Sequence, residues 1–173
     1  AVTSTRFVGS YADPIAGETL FICDNNGDVR TYPNGNLAFL SPGSGQITNE
    51  SPWAHAQIAG ISFLSRAGMR PYTRNLKTGT SYQLLGGEWG ATDSCAIIRG
   101  YLDYAICLNV TKGSIEYPTM VKWSNPIEYS SNPQLIGWDA SNPNYIAGEN
   151  VLGEMTSPIL DGLVLNTQFI IYA

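Results

Sequence analysis

Eighteen glycines and ten prolines are spread so evenly through the 173 residues that no window of about a dozen keeps the apolar spacing of three and four an amphipathic helix needs. Between these breakers lie short runs of Ile, Val, Phe, Tyr and Thr, side chains that pack well on a pleated surface. Such a chain is expected to be nearly all β, a single all-β domain over residues 1–173.

Residues 19–23 and 29–32 read as two strands joined across Asp24-Asn25-Asn26-Gly27-Asp28, whose Asn-Gly tolerates the positive φ of a hairpin turn. A further turn at Pro33-Asn34-Gly35 leads to a strand over 37–40. The same layout follows with strands at 58–64, 69–73 and 80–85, turning at Arg66-Ala67-Gly68 and Lys77-Thr78-Gly79. Next come 95–98, 101–108 and 114–121, turning at Thr111-Lys112-Gly113, and after a Pro- and Asn-rich connector over 125–150 a last hairpin at 159–165 and 168–172. The unit starts near Leu20, Ile58 and Ile97 recur about every 38 to 39 residues, the period of a β-propeller blade, a small meander that cannot bury both faces alone. We expect β-propeller-like blades over residues 18–45, 57–90, 95–126 and 151–173, an incomplete propeller or a segment of a longer chain. The alternative is a β-sandwich, which also has regularly spaced short strands. The lack of an initiator Met fits processing or a longer precursor. The apolar last strand, Gln168 to Tyr172, is expected to be paired or covered by later residues or by a neighbouring subunit, because an unpaired edge of that character is sticky.

Charged residues are only 13% of the chain, the net charge is −5 and the nine Lys and Arg are scattered singly. A basic stripe for gripping phosphates is absent, so nucleic-acid recognition is not expected. Cys23, Cys95 and Cys107 are odd in number, lack CxxC spacing and sit in apolar runs, the pattern of small buried hydrophobes. No run reaches the ~18 apolar residues of a membrane helix.

Candidate chemistry is sparse. His55 is the only histidine, so a His-based metal cluster has no second member and a Ser-His-acid triad would have to use it without a Gly-x-Ser-x-Gly elbow. The stretch from Asp24 to Asp28 resembles the opening of a calcium loop, yet position 35, where a closing glutamate belongs, is Gly35; a hairpin turn is the better reading. Trp138-Asp139 matches the WD dipeptide once, without a Gly-His partner. The sialidase box Ser-x-Asp-x-Gly-x-x-Trp is missing. Acid pairs such as Glu18 with Asp28, or Asp161 with Glu154, are the type a glycosidase uses but are not distinguished here from solvated acids. No catalytic, metal or cofactor residue is assigned, and no enzyme activity is expected. Tyr and Trp are plentiful enough to line a sugar site, which keeps a carbohydrate-binding or glycan-degrading all-β domain as the alternative function.

From Tyr101 onward the chain resembles one family. Val121, Trp123 and Ser124 end a strand, Ala147-Gly148-Glu149 follow the connector, and Pro158, Ile159, Gly162, Leu165 and Ile170 to Tyr172 frame a hairpin. This succession is similar to the propeller segments of podovirus tail nozzle and hub proteins, the tail tubular protein B or DNA-stabilisation type. Asn125 stands where the family has an acid. The resemblance implies a structural part of a bacteriophage virion, in the tail, with copies of itself in a ring, commonly sixfold, as partners. It also implies tail adaptor and fibre proteins as neighbours and a channel through which DNA passes without being read. An acidic protein suits that duty, since like charge does not hold a phosphate backbone. No membrane is implied. On this reading Trp123 buries its ring between blades with its indole N–H on a backbone acceptor, Ser124 bonds its own turn, and Pro126 stops the strand.

Overall fold

A computed structural model describes residues 5–13, 17–24, 28–31, 38–39, 51–129 and 131–173. The expected turn at 33–35 and most of the Asn-Gly turn lie outside the described residues. Among the described residues four antiparallel sheets follow one another along the chain. The first joins β1 (Thr5–Asp13), β2 (Gly17–Asp24), β3 (Val29–Thr31) and β4 (Ala38–Phe39) in sequence order, and the second does the same with β5 (Ala54–Ile58), β6 (Ile61–Arg66), β7 (Met69–Asn75) and β8 (Gln83–Leu84). The third runs β9 (Ser94–Tyr101), β10 (Tyr104–Lys112), β11 (Ile115–Trp123) and, beyond the connector, β12 (Gly148–Val151). A two-stranded hairpin, β13 (Asp161–Leu165) and β14 (Gln168–Tyr172), completes the chain. The all-β expectation holds, and the described residues contain no closed barrel.

Several strands escaped the sequence reading for identifiable reasons. Residues 58–64 are not one strand: Ala59 and Gly60 turn the chain with φ of 46° and 76°, so Ile58 pairs with Ile61. Residues 101–108 likewise divide at Leu102 (φ 52°), and Tyr101 pairs with Tyr104. Neither Ala59 nor Leu102 is a residue type that advertises positive φ. Lys112 pairs with Ile115 across Gly113 and Ser114, both at positive φ as a type I′ turn requires.

Proline inside a strand lacks a ladder donor and belongs at irregularities. Pro71 lies in β7 opposite the register shift between Leu64 and Arg66 of β6. Pro118 lies in β11 opposite the shift between Leu108 and Val110, where Asn109 takes φ 54°.

Three apolar clusters fill the layers between consecutive sheets. Phe21, Cys23 and Val29 of the first sheet meet Leu64, Met69 and Tyr72 of the second. Ile61, Phe63 and Ile58 of the second meet Cys95, Ile98 and Cys107 of the third. Ile106, Leu108, Val121 and Trp123 of the third meet Phe169 and Ile171 of the hairpin. All six residues of β6 are buried, because its alternate side chains serve two different layers. A two-sheet sandwich has one such layer.

The connector folds back instead of spanning solvent. Asn125 anchors it, donating its N–H to the Gly137 carbonyl (2.8 Å) and accepting the N–H groups of Ile146 and Ala147 on Oδ1 (2.7 and 3.1 Å). Ile127, Ile136 and Trp138 thereby enter the layer between the second and third sheets.

Candidate functional site

Trp123 keeps the hydrogen bond expected of it, Nε1 to the Ile146 carbonyl at 2.9 Å, but its ring is only half-buried and lies against Gly148 of β12, at the edge of the layer rather than between two full sheets. Ser124 does more than bond its own turn: Oγ donates to the Asn125 carbonyl (2.7 Å) and accepts the Ala105 N–H (3.0 Å), which fastens the strand end to β10. The fully buried tryptophans are elsewhere. Trp138, from the solitary WD dipeptide, has no exposed surface and meets Trp89 edge to face at 5.3 Å, while Asp139 is half-buried and holds the Ser141 turn.

His55 does acquire a serine. Its Nε2 is 3.2 Å from Ser62 Oγ, which is 2.6 Å from the Tyr82 hydroxyl. Ser62 and Tyr82 are wholly buried, so this chain of hydroxyls is closed to a substrate carbonyl. Burial, with Arg99 nearby, pushes the His55 pKa down to about 4, so the ring is neutral at pH 7 and shares one proton with Ser62 as an internal hydrogen bond. The arrangement is architectural.

Asp24 and Asp28 close the first hairpin on themselves: Asp28 N–H donates to Asp24 Oδ1 (3.0 Å), and Asp24 N–H to the Asp28 carbonyl (3.0 Å). Trp53 Nε1 donates to the Asp24 carbonyl (3.0 Å), and Arg66, buried, lies 4.9 Å above the Trp53 ring. Among the described residues no three His, Cys, Asp or Glu side chains come together as metal ligands. The Glu18 side chain lies outside the described residues, and Asp161 is engaged by Arg99 at 2.7 Å while Glu154 is exposed.

Two surface features were not anticipated. Glu149 of β12 bridges Lys112 and Lys122. Lys122, 6% exposed, reaches Glu149 Oε2 at 3.0 Å and donates to the Trp138 carbonyl at 2.8 Å, and Glu88 Oε2 accepts the Trp138 N–H at 2.9 Å. Burial of Glu149 raises its pKa, but hydrogen bonds from the two lysines outweigh that and hold it below the ordinary carboxylate value. The second feature is a cleft of about 490 Å³ between the turn at 77–79 and residues 131–133, with Tyr129 as its one aromatic. Both are built by the connector meeting distant strands, for which a single sequence carries no local signal.

The terminal hairpin is apolar on both faces. Phe169 and Ile171 point into the third layer, whereas the cross-strand pair Leu163 and Ile170 is 45% and 38% exposed, and Leu165, Tyr172 and the preceding Leu160 are exposed beside it. At the opposite end of the succession Val8 and Leu20 are exposed on the first sheet.

No protein-family model matches the chain, and no curated protein matches it.

Proposed function

We propose that the chain is a structural subunit of a bacteriophage tail, a β-propeller-like piece of the nozzle or hub through which DNA leaves the virion. The observation that carries this reading is the terminal hairpin, whose outer face keeps Leu163, Leu165, Ile170 and Tyr172 in water. A sheet with two apolar faces is made to sit between two others, and exposed apolar patches of this kind mark association surfaces. Consecutive meanders packed face to face are also what blades look like, and the resemblance of residues 101–173 to tail proteins supplies the kind of assembly. The polar chains of the interior are sealed, which suits a mechanical part.

The test is the assembly state. Sedimentation and native mass spectrometry should find a closed oligomer, six copies by the family resemblance, and Leu163→Glu combined with Ile170→Lys should yield folded monomers. A protein that stays monomeric at all concentrations would overturn the ring. Intact mass from the source particle decides whether a longer polypeptide covers the hairpin instead.

A further inference from the structure

We infer that the cleft between the turn at 77–79 and the segment 131–133 with Tyr129 is a binding site for an acidic saccharide, with a pyranose face on Tyr129 and its carboxylate on Lys77. The site stands apart from the assembly reading, because every residue in it belongs to one chain and lies away from the terminal hairpin.

Asn75 makes the walls rigid. Its side chain is buried, accepting the N–H groups of Lys77 (2.9 Å) and Thr78 (3.2 Å) on Oδ1 and donating from Nδ2 to the Ser131 carbonyl (3.2 Å), so one amide fixes both sides of the opening. Gly79 is needed beneath it, since a Cβ there would meet the Asn75 carbonyl at 2.8 Å. Tyr129 is held in place by Gly60, whose absent Cβ would fall 2.8 Å from the ring. The walls are therefore formed before any ligand arrives, which lowers the ordering cost of binding.

The groups facing the opening are unspent. The Thr78 and Tyr129 hydroxyls and Asn132 Nδ2 make no hydrogen bond among the described residues, while Asn132 Oδ1 is occupied by the Gln134 N–H at 3.0 Å. Hydroxyls and a planar amide around one aromatic ring suit a ligand that presents both an apolar C–H face and a rim of hydroxyls, which is the chemistry of a pyranose. The volume, about 490 Å³, is in the range of small-ligand sites.

Charge narrows the class. In a chain of net charge −5 no Asp or Glu lines this cleft. Lys77 has no carboxylate partner among the described residues, and its Nζ rests 4.9 Å over the Tyr129 ring. An exposed cation–π contact is weak, so a sugar can take the ring face while the ammonium swings to the ligand's carboxylate. Lys77 thus guards the platform when the cleft is empty and selects for acid when it is filled.

The experiment is calorimetric titration of the protein, in whatever assembly it adopts, with a trigalacturonate and with the neutral galactose trisaccharide of the same linkage. The acidic sugar should bind at least about tenfold more tightly, a difference of ~1.4 kcal/mol. Lys77→Gln, at an exposed turn position, should bring the acidic sugar down to the neutral level. Tyr129→Ala should weaken both by about tenfold or more, with melting and circular dichroism showing that the variants remain folded. Equal affinity for the two sugars, binding unchanged in Tyr129→Ala, or heat from neither sugar would each overturn the assignment.

Discussion

Gly148 and Trp123 constrain each other. A Cβ at Gly148 would meet Trp123 Cζ2 at 2.2 Å, closer than any ring can tolerate. Gly148→Ala should therefore displace the indole and cost about 1–3 kcal/mol, but little in a Trp123→Ala background, a coupling that a double-mutant cycle in urea measures directly. Trp123→Ala itself should be the milder tryptophan truncation. Its ring is half-buried, whereas Trp138 has no exposed surface, so Trp138→Ala should approach the ~3–5 kcal/mol of a core aromatic and show the larger fall in melting temperature. His55 supplies a pH dependence at the same scale. Its ordinary pKa of 6.5 falls to about 4 on folding, so between those values the unfolded chain binds more protons. Stability should then be full above about pH 6.5, fall as pH drops towards 4, and level off below. His55→Gln should flatten that window, and a melting series across pH 4 to 7 would reveal it.

The strand β12 carries the electrostatics of its sheet. Glu149 is the cross-strand partner of Lys122 in the β11–β12 ladder, and Lys112 reaches it from β10, so one carboxylate ties three strands. Glu149→Gln keeps an oxygen that can accept from Lys122 but removes the charge that offsets the buried ammonium, a loss on the order of 2–3 kcal/mol after allowing for the partial exposure of Glu149. Lys122→Met in the same chain should recover most of it, as read by the urea midpoint. None of this was legible beforehand. Residues 125–150 carry the prolines and asparagines of a loop, and the four residues of β12 are too few, and in Gly-Glu-Asn-Val too polar, to register as a strand. Turns marked by glycine at 68 and 113, both at positive φ, were readable because glycine states its φ preference locally. Those at Ala59 and Leu102 were not, since their positive φ is imposed by the strands on either side. The Tyr129 cleft was invisible for a related reason: Asn75 and Ser131, which bond across it, are 56 positions apart, and Lys77 meets Tyr129 only in the folded chain.

Across the whole molecule the three thiols act as sentinels. Cys23 lies in the layer between the first and second sheets, and Cys95 and Cys107 lie in the next layer, all fully buried. Burial pushes the Cys23 and Cys107 thiols well above their ordinary pKa, away from the reactive thiolate. Native protein should resist a thiol reagent at pH 8 and release three equivalents in denaturant. In intermediate urea Cys23 should react at a different rate from the other pair, since it reports on the parting of a different layer; a single shared rate would show that the layers open together. The sequential order of the strands has a consequence for how the fold is reached. Each full strand pairs with the one beside it in the chain, and the joins at Ala59-Gly60, Leu102-Asp103 and Gly113-Ser114 are two residues long. Loop closure over such short spans costs little entropy, so each meander can zip from its own turns on a fast, local timescale. Growth of the molecule then resembles crystallisation along one axis: a finished sheet is the template on which the next one settles, and an added meander needs only a compatible face.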